Sequence, residues 1–253
     1  MTQTTDLFSV EGRVACVTGA SSGLGQRAAT VLAQAGAKVI GVARRADALE
    51  RWCSDTQGDC AAVSGDVADR DGLDDLVAQI SAPFGAPDIV IHAAGLNTRQ
   101  PADDVTAEGW DATVAINLTA PFFLSQKLAP AMQDKNWGRI VNFASLQSFR
   151  AFPGGIAYGA TKGGVAQMTR AMAEAWSKSG ITANAIAPGF FHTELTAAVF
   201  EDADRAARNA AQTCIGRNGE DTDLDGPLLF LCSDASRYVT GQIMMLDGGF
   251  TAK

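Results

Sequence analysis

Apolar residues recur along this chain in two alternating rhythms. Short runs rich in valine, isoleucine and alanine, at residues 13–18, 38–43, 61–65, 88–92, 139–144, 182–187 and 243–246, predict strands. Between many of them lie longer stretches whose apolar positions return every three or four residues, the spacing of one helix face. These predict helices over 24–35, closed by Gly36 at its C′ position, over 46–57, and from a cap at Asp69 to Ser81. A long helical stretch from about Thr106 to Lys135, in two pieces divided near Pro121, and another from Pro153 to about Lys178 complete the pattern. Strands joined by helices of this length imply right-handed crossovers and a parallel sheet. Several strands are apolar at successive positions, as in a sheet covered by helices on both faces. The expected fold is α/β, a doubly wound parallel sheet of about seven strands in one domain over 1–253.

Composition narrows the function classes. With 253 residues the chain can bury a substantial core, and 47% hydrophobic against 19% charged residues excludes a disordered chain or a coiled coil. The net charge of −8 argues against a nucleic-acid or anionic-membrane partner, either of which needs a basic surface. No apolar run approaches the ~20 residues of a membrane span, and the first residues carry neither the basic nor the apolar region of a secretory signal. A cytoplasmic location is therefore expected. Five cysteines without CxxC spacing and two histidines without HExxH point to neither a disulfide framework nor a metal site.

The first strand runs into Thr18-Gly19-Ala20-Ser21-Ser22-Gly23-Leu24-Gly25 and then a helix. Glycines at such a turn let backbone N–H groups approach a pyrophosphate at the positive end of the helix dipole. The spacing is GxxxGxG, not GxGxxG, and a glycine-rich turn also serves purely structural ends. Its place after the first strand of a βαβ unit favours the nucleotide reading, with Gly19, Ser21, Ser22, Gly23, Leu24 and Gly25 as the cradle. The second strand ends Val42-Ala43-Arg44-Arg45, with no carboxylate to bind ribose hydroxyls. Arginine can stack on adenine and pair bidentately with a phosphate, so Arg44 favours NADP(H) and leaves NAD(H) possible, while a solvated basic pair remains the alternative. Asp66 and Val67 follow the third strand, placed for the adenine edge, and Ala93-Ala94-Gly95 follow the fourth, placed for the cofactor ribose.

Tyr158 and Lys162 lie four residues apart near a helix start, on one face. An ammonium near a phenol stabilises the phenolate and makes a usable general acid/base for an alcohol–carbonyl interconversion, although such a pair also occurs on ordinary surfaces. Ser145 ends the fifth strand on the carboxyl edge that carries the glycine loop, where its hydroxyl can donate to a substrate oxygen as charge develops.

Taken together, TGASSGLG, Asp66, AAG, Asn117, Ser145, Tyr158-x-x-x-Lys162, Pro188-Gly189 and the Asp247-Gly248-Gly249 ending resemble the short-chain dehydrogenase/reductase family over essentially the whole chain. The resemblance implies a single Rossmann-type domain, with a cofactor half of about 1–137 and a catalytic and substrate half of about 138–253, assembled as a homotetramer. It implies a catalytic set of Asn117, Ser145, Tyr158 and Lys162. In that set Asn117 would hold a relay water and Lys162 the nicotinamide ribose. Pro188, Gly189 and Thr193 would flank the cofactor, Thr193 at the carboxamide. One departure is His92-Ala93-Ala94-Gly95, where the family commonly carries Asn-Asn-Ala-Gly; His92 is expected to be a structural histidine. The segments around Ser145–Tyr158 and Pro188–Phe200 are similar to gluconate 5-dehydrogenases and related sugar-acid and polyol dehydrogenases. A small-molecule substrate carboxylate would then meet Arg99 or Arg150, and hydroxyls Gln147 or His192. Phe149, Phe152, Phe190 and Phe191 keep small hydrophobic ketones open. A 3-oxoacyl carrier-protein reductase needs a basic patch for its acidic partner, for which Lys135, Arg139 and Lys178 are the candidates at the rim. A non-catalytic binding protein is the remaining alternative.

Overall fold

The structure is a computed structural model describing residues 4–253. Among these residues seven strands form one parallel sheet: β1 (Val14–Thr18), β2 (Lys38–Ala43), β3 (Cys60–Ser64), β4 (Ile89–His92), β5 (Gly138–Phe143), β6 (Ile181–Pro188) and β7 (Ile243–Leu246), in the order β3-β2-β1-β4-β5-β6-β7. The chain winds outward from β1 in one direction and from β4 in the other. A crevice therefore opens beyond the carboxyl ends of these two neighbours. Thr18 Oγ1 pins the split, donating to the Ile91 carbonyl and accepting from the Ala94 N–H at 3.2 Å.

Helices α1 (Gly23–Gln34), α2 (Ala46–Asp55), α3 (Leu73–Ser81), α4 (Ala107–Val114), α5 (Ala120–Asp134) and α6 (Ile156–Trp176) make the crossovers. Alternate strand residues face opposite ways, so each strand feeds two cores. Ala15, Val17, Val39, Ile89, Ile91 and Val141 pack against α1 and α2 through Leu32, Leu49 and Trp52. Cys16, Ile40, Val42, Val90 and Ile140 pack against α3, α5 and α6 through Leu76, Ile80, Leu124, Leu128 and Met172. This two-sided burial is why the strands read as continuous apolar runs.

One local expectation changes. Asp69 does not cap α3: its Oδ1 accepts from the N–H groups of Asp71 and Gly72 in the turn ahead of the helix, and Gly72 is the N-cap. The long helical stretch comes in the two pieces expected near Pro121. A π-turn over Ala115–Thr119, with the Ala120 N–H bonded to the Ala115 carbonyl, links α4 to α5 just before Pro121. Pro121 has no N–H for the carbonyl four residues earlier, that of Asn117, so the widened turn sits where the helical ladder must skip a rung. The segment after β6 holds α7 (Ala197–Phe200), α8 (Ala203–Gln212) and α9 (Asp225–Cys232). In α8 the apolar positions are all alanines, Ala203, Ala206, Ala207, Ala210 and Ala211, at the spacing of one helix face, and Asp202 caps it by accepting the Arg205 N–H.

Candidate active site

A cleft of about 680 Å3 lies over the carboxyl edge, running from the glycine loop after β1 to the start of α6. At its phosphate end Gly19 has φ +73°, and a Cβ there would sit 2.7 Å from the Ala94 nitrogen; a Cβ on Gly25 would sit 2.4 Å from the Gly19 carbonyl oxygen. The turn closes backbone against backbone with no room for a side chain. Ser22, the N-cap of α1, makes no capping hydrogen bond, so the first N–H groups of the helix keep no side-chain acceptor. Arg44 lies 4.0 Å from Asp66, and both are exposed. Arg45 donates to Ser21 Oγ, to Ser22 Oγ and to both carboxylate oxygens of Glu194. Val67, Ala93, Ala94 and Gly95 line the middle of the cleft; Pro188, Gly189 and Thr193 line its far wall. A glycine cradle at a helix N-terminus, with arginines and serine hydroxyls beside it, fits a phosphorylated dinucleotide.

At the other end α6 presents Tyr158 and Lys162, 9% and 5% exposed, to the loop that follows β5. Ser145 caps the short turn 146–148, its Oγ accepting the Gln147 N–H at 3.1 Å, which leaves the hydroxyl proton to be donated. Burial raises the Tyr158 phenol above its usual value of 10, against a hydrogen bond with Ser145 and the charge of Arg99, which pull it down. The same burial pushes the Lys162 ammonium down to about 8. Lys162 Nζ donates to the Phe143 carbonyl and stands 5.5 Å from the Tyr158 ring centroid. Burial thus outweighs the lowering expected from an ammonium beside the phenol.

Asn117 is buried in the π-turn, and its amide is fully engaged: Oδ1 accepts the Leu96 N–H, and Nδ2 donates to the Leu96 carbonyl and to Thr161 Oγ1. It ties the loop after β4 to α6. Pro121 has no N–H to offer its backbone carbonyl in the α-helical pattern. His92 is buried, shares a 2.7 Å hydrogen bond with Ser125 Oγ on α5, and is pushed down to about 3 by burial. It is a neutral structural ring, joining strand to helix.

Comparison with known proteins decides the family. The family model described as enoyl-(acyl carrier protein) reductase matches residues 19–251. The chain is similar to gluconate 5-dehydrogenase of Gluconobacter oxydans (39% identical, 97% of each chain) and to 2-dehydro-3-deoxy-D-gluconate 5-dehydrogenase of Pseudoalteromonas atlantica (38% identical, 97% of this chain and 98% of that one). A solved gluconate 5-dehydrogenase from Burkholderia cenocepacia, in complex with NADP and tartrate, superposes with a TM-score of 0.92 at 35% identity, covering 99% of this chain and 100% of that one. The chain belongs to the short-chain dehydrogenase/reductase family.

In this short-chain dehydrogenase/reductase the substrate end separates the candidates that sequence put forward. Arg99, with φ +52° and its Nη2 on the Leu195 carbonyl, lines the cleft, as does Gln147, whose buried Oε1 has no partner. Arg150 does not line it: its guanidinium donates to the Phe250 carbonyl at 3.3 Å and lies 5.3 Å from that ring, tying the loop to the C-terminal turn. Nor does His192, which is exposed and stacks edge-on against Phe200 at 4.9 Å. Lys135, Arg139 and Lys178 lie just ahead of β5 and β6 or at their start, at the opposite edge of the sheet. Lys135 is paired with Asp88 and the buried Arg139 with Asp234, so no basic rim forms from them. Sequence reasoning passed over Glu194, Arg205 and Asn209, all of which line the cleft. The i,i+4 spacing of Arg205 and Asn209 behind the Asp202 cap was the available signal.

Proposed function

We propose that this chain is an NADP(H)-preferring oxidoreductase interconverting a secondary alcohol and a ketone, acting on a hydroxy or keto sugar acid or a polyol. The observation that carries the reading is the convergence of Ser145, Tyr158 and Lys162 at one end of a cleft whose other end is the glycine cradle flanked by Arg44 and Arg45. When bound, the nicotinamide supplies or accepts the hydride. Tyr158 gives or takes the hydroxyl proton, and Ser145 donates to the substrate oxygen as negative charge builds on it. Lys162 holds the nicotinamide ribose and, with a water on the Asn117 carbonyl, passes the proton to solvent. Gly19, Ser21, Ser22, Gly23, Leu24 and Gly25 receive the pyrophosphate, Arg44 the 2′-phosphate, Asp66 and Val67 the adenine. Ala93, Ala94 and Gly95 flank the ribose, and Pro188, Gly189 and Thr193 the nicotinamide. Arg99 binds a substrate carboxylate, with Gln147 on a hydroxyl.

The named activities of the similar proteins support a sugar-acid substrate, and the NADP in the Burkholderia complex supports the cofactor. A second reading, reduction of a small hydrophobic ketone, draws on the Phe152–Phe190–Phe250 cluster, whose first two rings line the cleft 6.1 Å apart. The same proposal includes a single working domain, a homotetramer and a cytoplasmic location. No helix among the described residues is long and apolar enough to cross a membrane.

The test is absorbance at the nicotinamide band with gluconate, keto-gluconates, polyols, hydrophobic ketones and an acetoacetyl thioester, each with NADP(H) and NAD(H). Turnover of a sugar acid or polyol, lost by about a thousandfold or more in Tyr158→Phe with cofactor binding retained, is the expected result. Turnover of the thioester alone, or unimpaired turnover in Tyr158→Phe, contradicts it.

A further inference from the structure

The donors grouped at the phosphate end of the cleft already hold an anion, and it belongs to the chain. Glu194 follows Thr193 on the segment that leaves β6. Its two oxygens take the Arg45 guanidinium at 3.0 Å each, and Oε2 also accepts the Ser22 hydroxyl at 3.0 Å. Arg45 completes the group by donating to Ser21 Oγ at 3.0 Å and Ser22 Oγ at 2.7 Å. These partners are 149 and 172 residues from Glu194 in sequence, so the contact is a bridge between two separate walls of the cleft. Arg45 and the two serines flank the glycine cradle and the strand end where a phosphate would enter. A guanidinium fork and serine hydroxyls bind carboxylate and phosphate oxygens by the same geometry. One set of donors cannot serve both at once, and an anion brought in beside the carboxylate is repelled by it.

We propose that Glu194 is a resident competitor for the cofactor's phosphate site, latching the 190–200 segment across the cleft until a dinucleotide whose 2′-phosphate Arg45 shares with Arg44 displaces it. This rests on the cofactor reading above and adds its regulation. The segment that Glu194 pins also carries Leu195 and Val199, which line the cleft, and Leu195 is held in turn by Arg99. The arginine beside Glu194 keeps its carboxyl below the usual carboxylate range, so the competitor is charged throughout the working pH range. Both partners are about half exposed or more, which limits the strength of the pair and makes it displaceable.

The test is equilibrium binding of NADPH and of NADH, followed by tryptophan-to-nicotinamide energy transfer, in the wild type, Glu194→Gln, Arg45→Ala and the double variant. Glu194→Gln keeps the shape and removes the charge. The expected result is NADPH binding tightened about threefold or more, with a smaller gain for NADH. In the Arg45→Ala background, where NADPH binds more weakly, Glu194→Gln gives no further gain. If the wild type binds NADPH and Glu194→Gln leaves that affinity unchanged or weakened, or tightens it equally without Arg45, the latch is overturned while the cofactor assignment stands. A wild type that binds neither nucleotide overturns the cofactor assignment and the latch with it.

Discussion

Burial moves Tyr158 and Lys162 in opposite directions, the phenol upward and the ammonium down to about 8, because it disfavours the charged form of each. In water the amine holds its proton slightly more tightly than the phenol; burial inverts that order, so the pair favours a protonated phenol beside a lysine that gives up its proton more readily. His92 shows the same physics without a catalytic use. Its native value of about 3 lies below the ordinary 6.5, so the native state refuses a proton that the unfolded state accepts. The stability this confers is complete above pH 6.5 and is lost as pH falls from there toward 3. Urea unfolding at pH 7 and pH 5 should show the wild type losing about 2 kcal/mol more over that interval than His92→Asn, which has no imidazole to protonate. Parallel losses in the two proteins would show that the ring titrates normally.

At the scale of the element, the glycine turn and the π-turn set the site by what they lack. Gly25 has no side chain because the Gly19 carbonyl stands where a Cβ would be, and both partners are backbone. Gly25→Ala should therefore push α1 away from β1 and abolish dinucleotide binding, read as loss of energy transfer to NADPH, while circular dichroism keeps its helical content. Retained affinity would mean that the turn can open without cost to the cofactor. In the π-turn, Pro121 has no N–H to offer the Asn117 carbonyl, and the Asn117 amide is bonded to Leu96 and Thr161.

At the scale of the molecule, the two-sided core fixes the sheet, and the sheet fixes the distance between the phosphate cradle and the tyrosine. The margin of the sheet is less complete. All four residues of β7, Ile243, Met244, Met245 and Leu246, are only half-buried, and Tyr238 nearby in sequence is wholly exposed. An apolar edge strand of this kind is a surface that proteins cover. Sedimentation at micromolar concentration should accordingly give an associated species, four chains if the proposed homotetramer holds, and a monomer at every concentration would remove the assembly from the proposal.

The apolar rhythm by itself determined the sheet, because strands buried on both faces must be continuously hydrophobic and their crossovers must be helices; the strand ends fall within a residue or so of the expected ones. It also marked the glycine turn, Ser145, Tyr158 and Lys162, since their chemistry depends on residue type at fixed spacing along single elements. Tertiary structure alone decided the rest. Arg150 and His192 have suitable side chains, but the fold turns one onto the C-terminal Phe250 and the other onto Phe200. Lys135 and Arg139 are basic, but they lie at the wrong edge of the sheet and are already paired. Glu194 meets Arg45 only because β6 and β2 deliver their loops to the same cleft. Local spacing encodes what one element presents; which element a side chain meets from far along the chain is set by packing, and proton affinities follow from that packing.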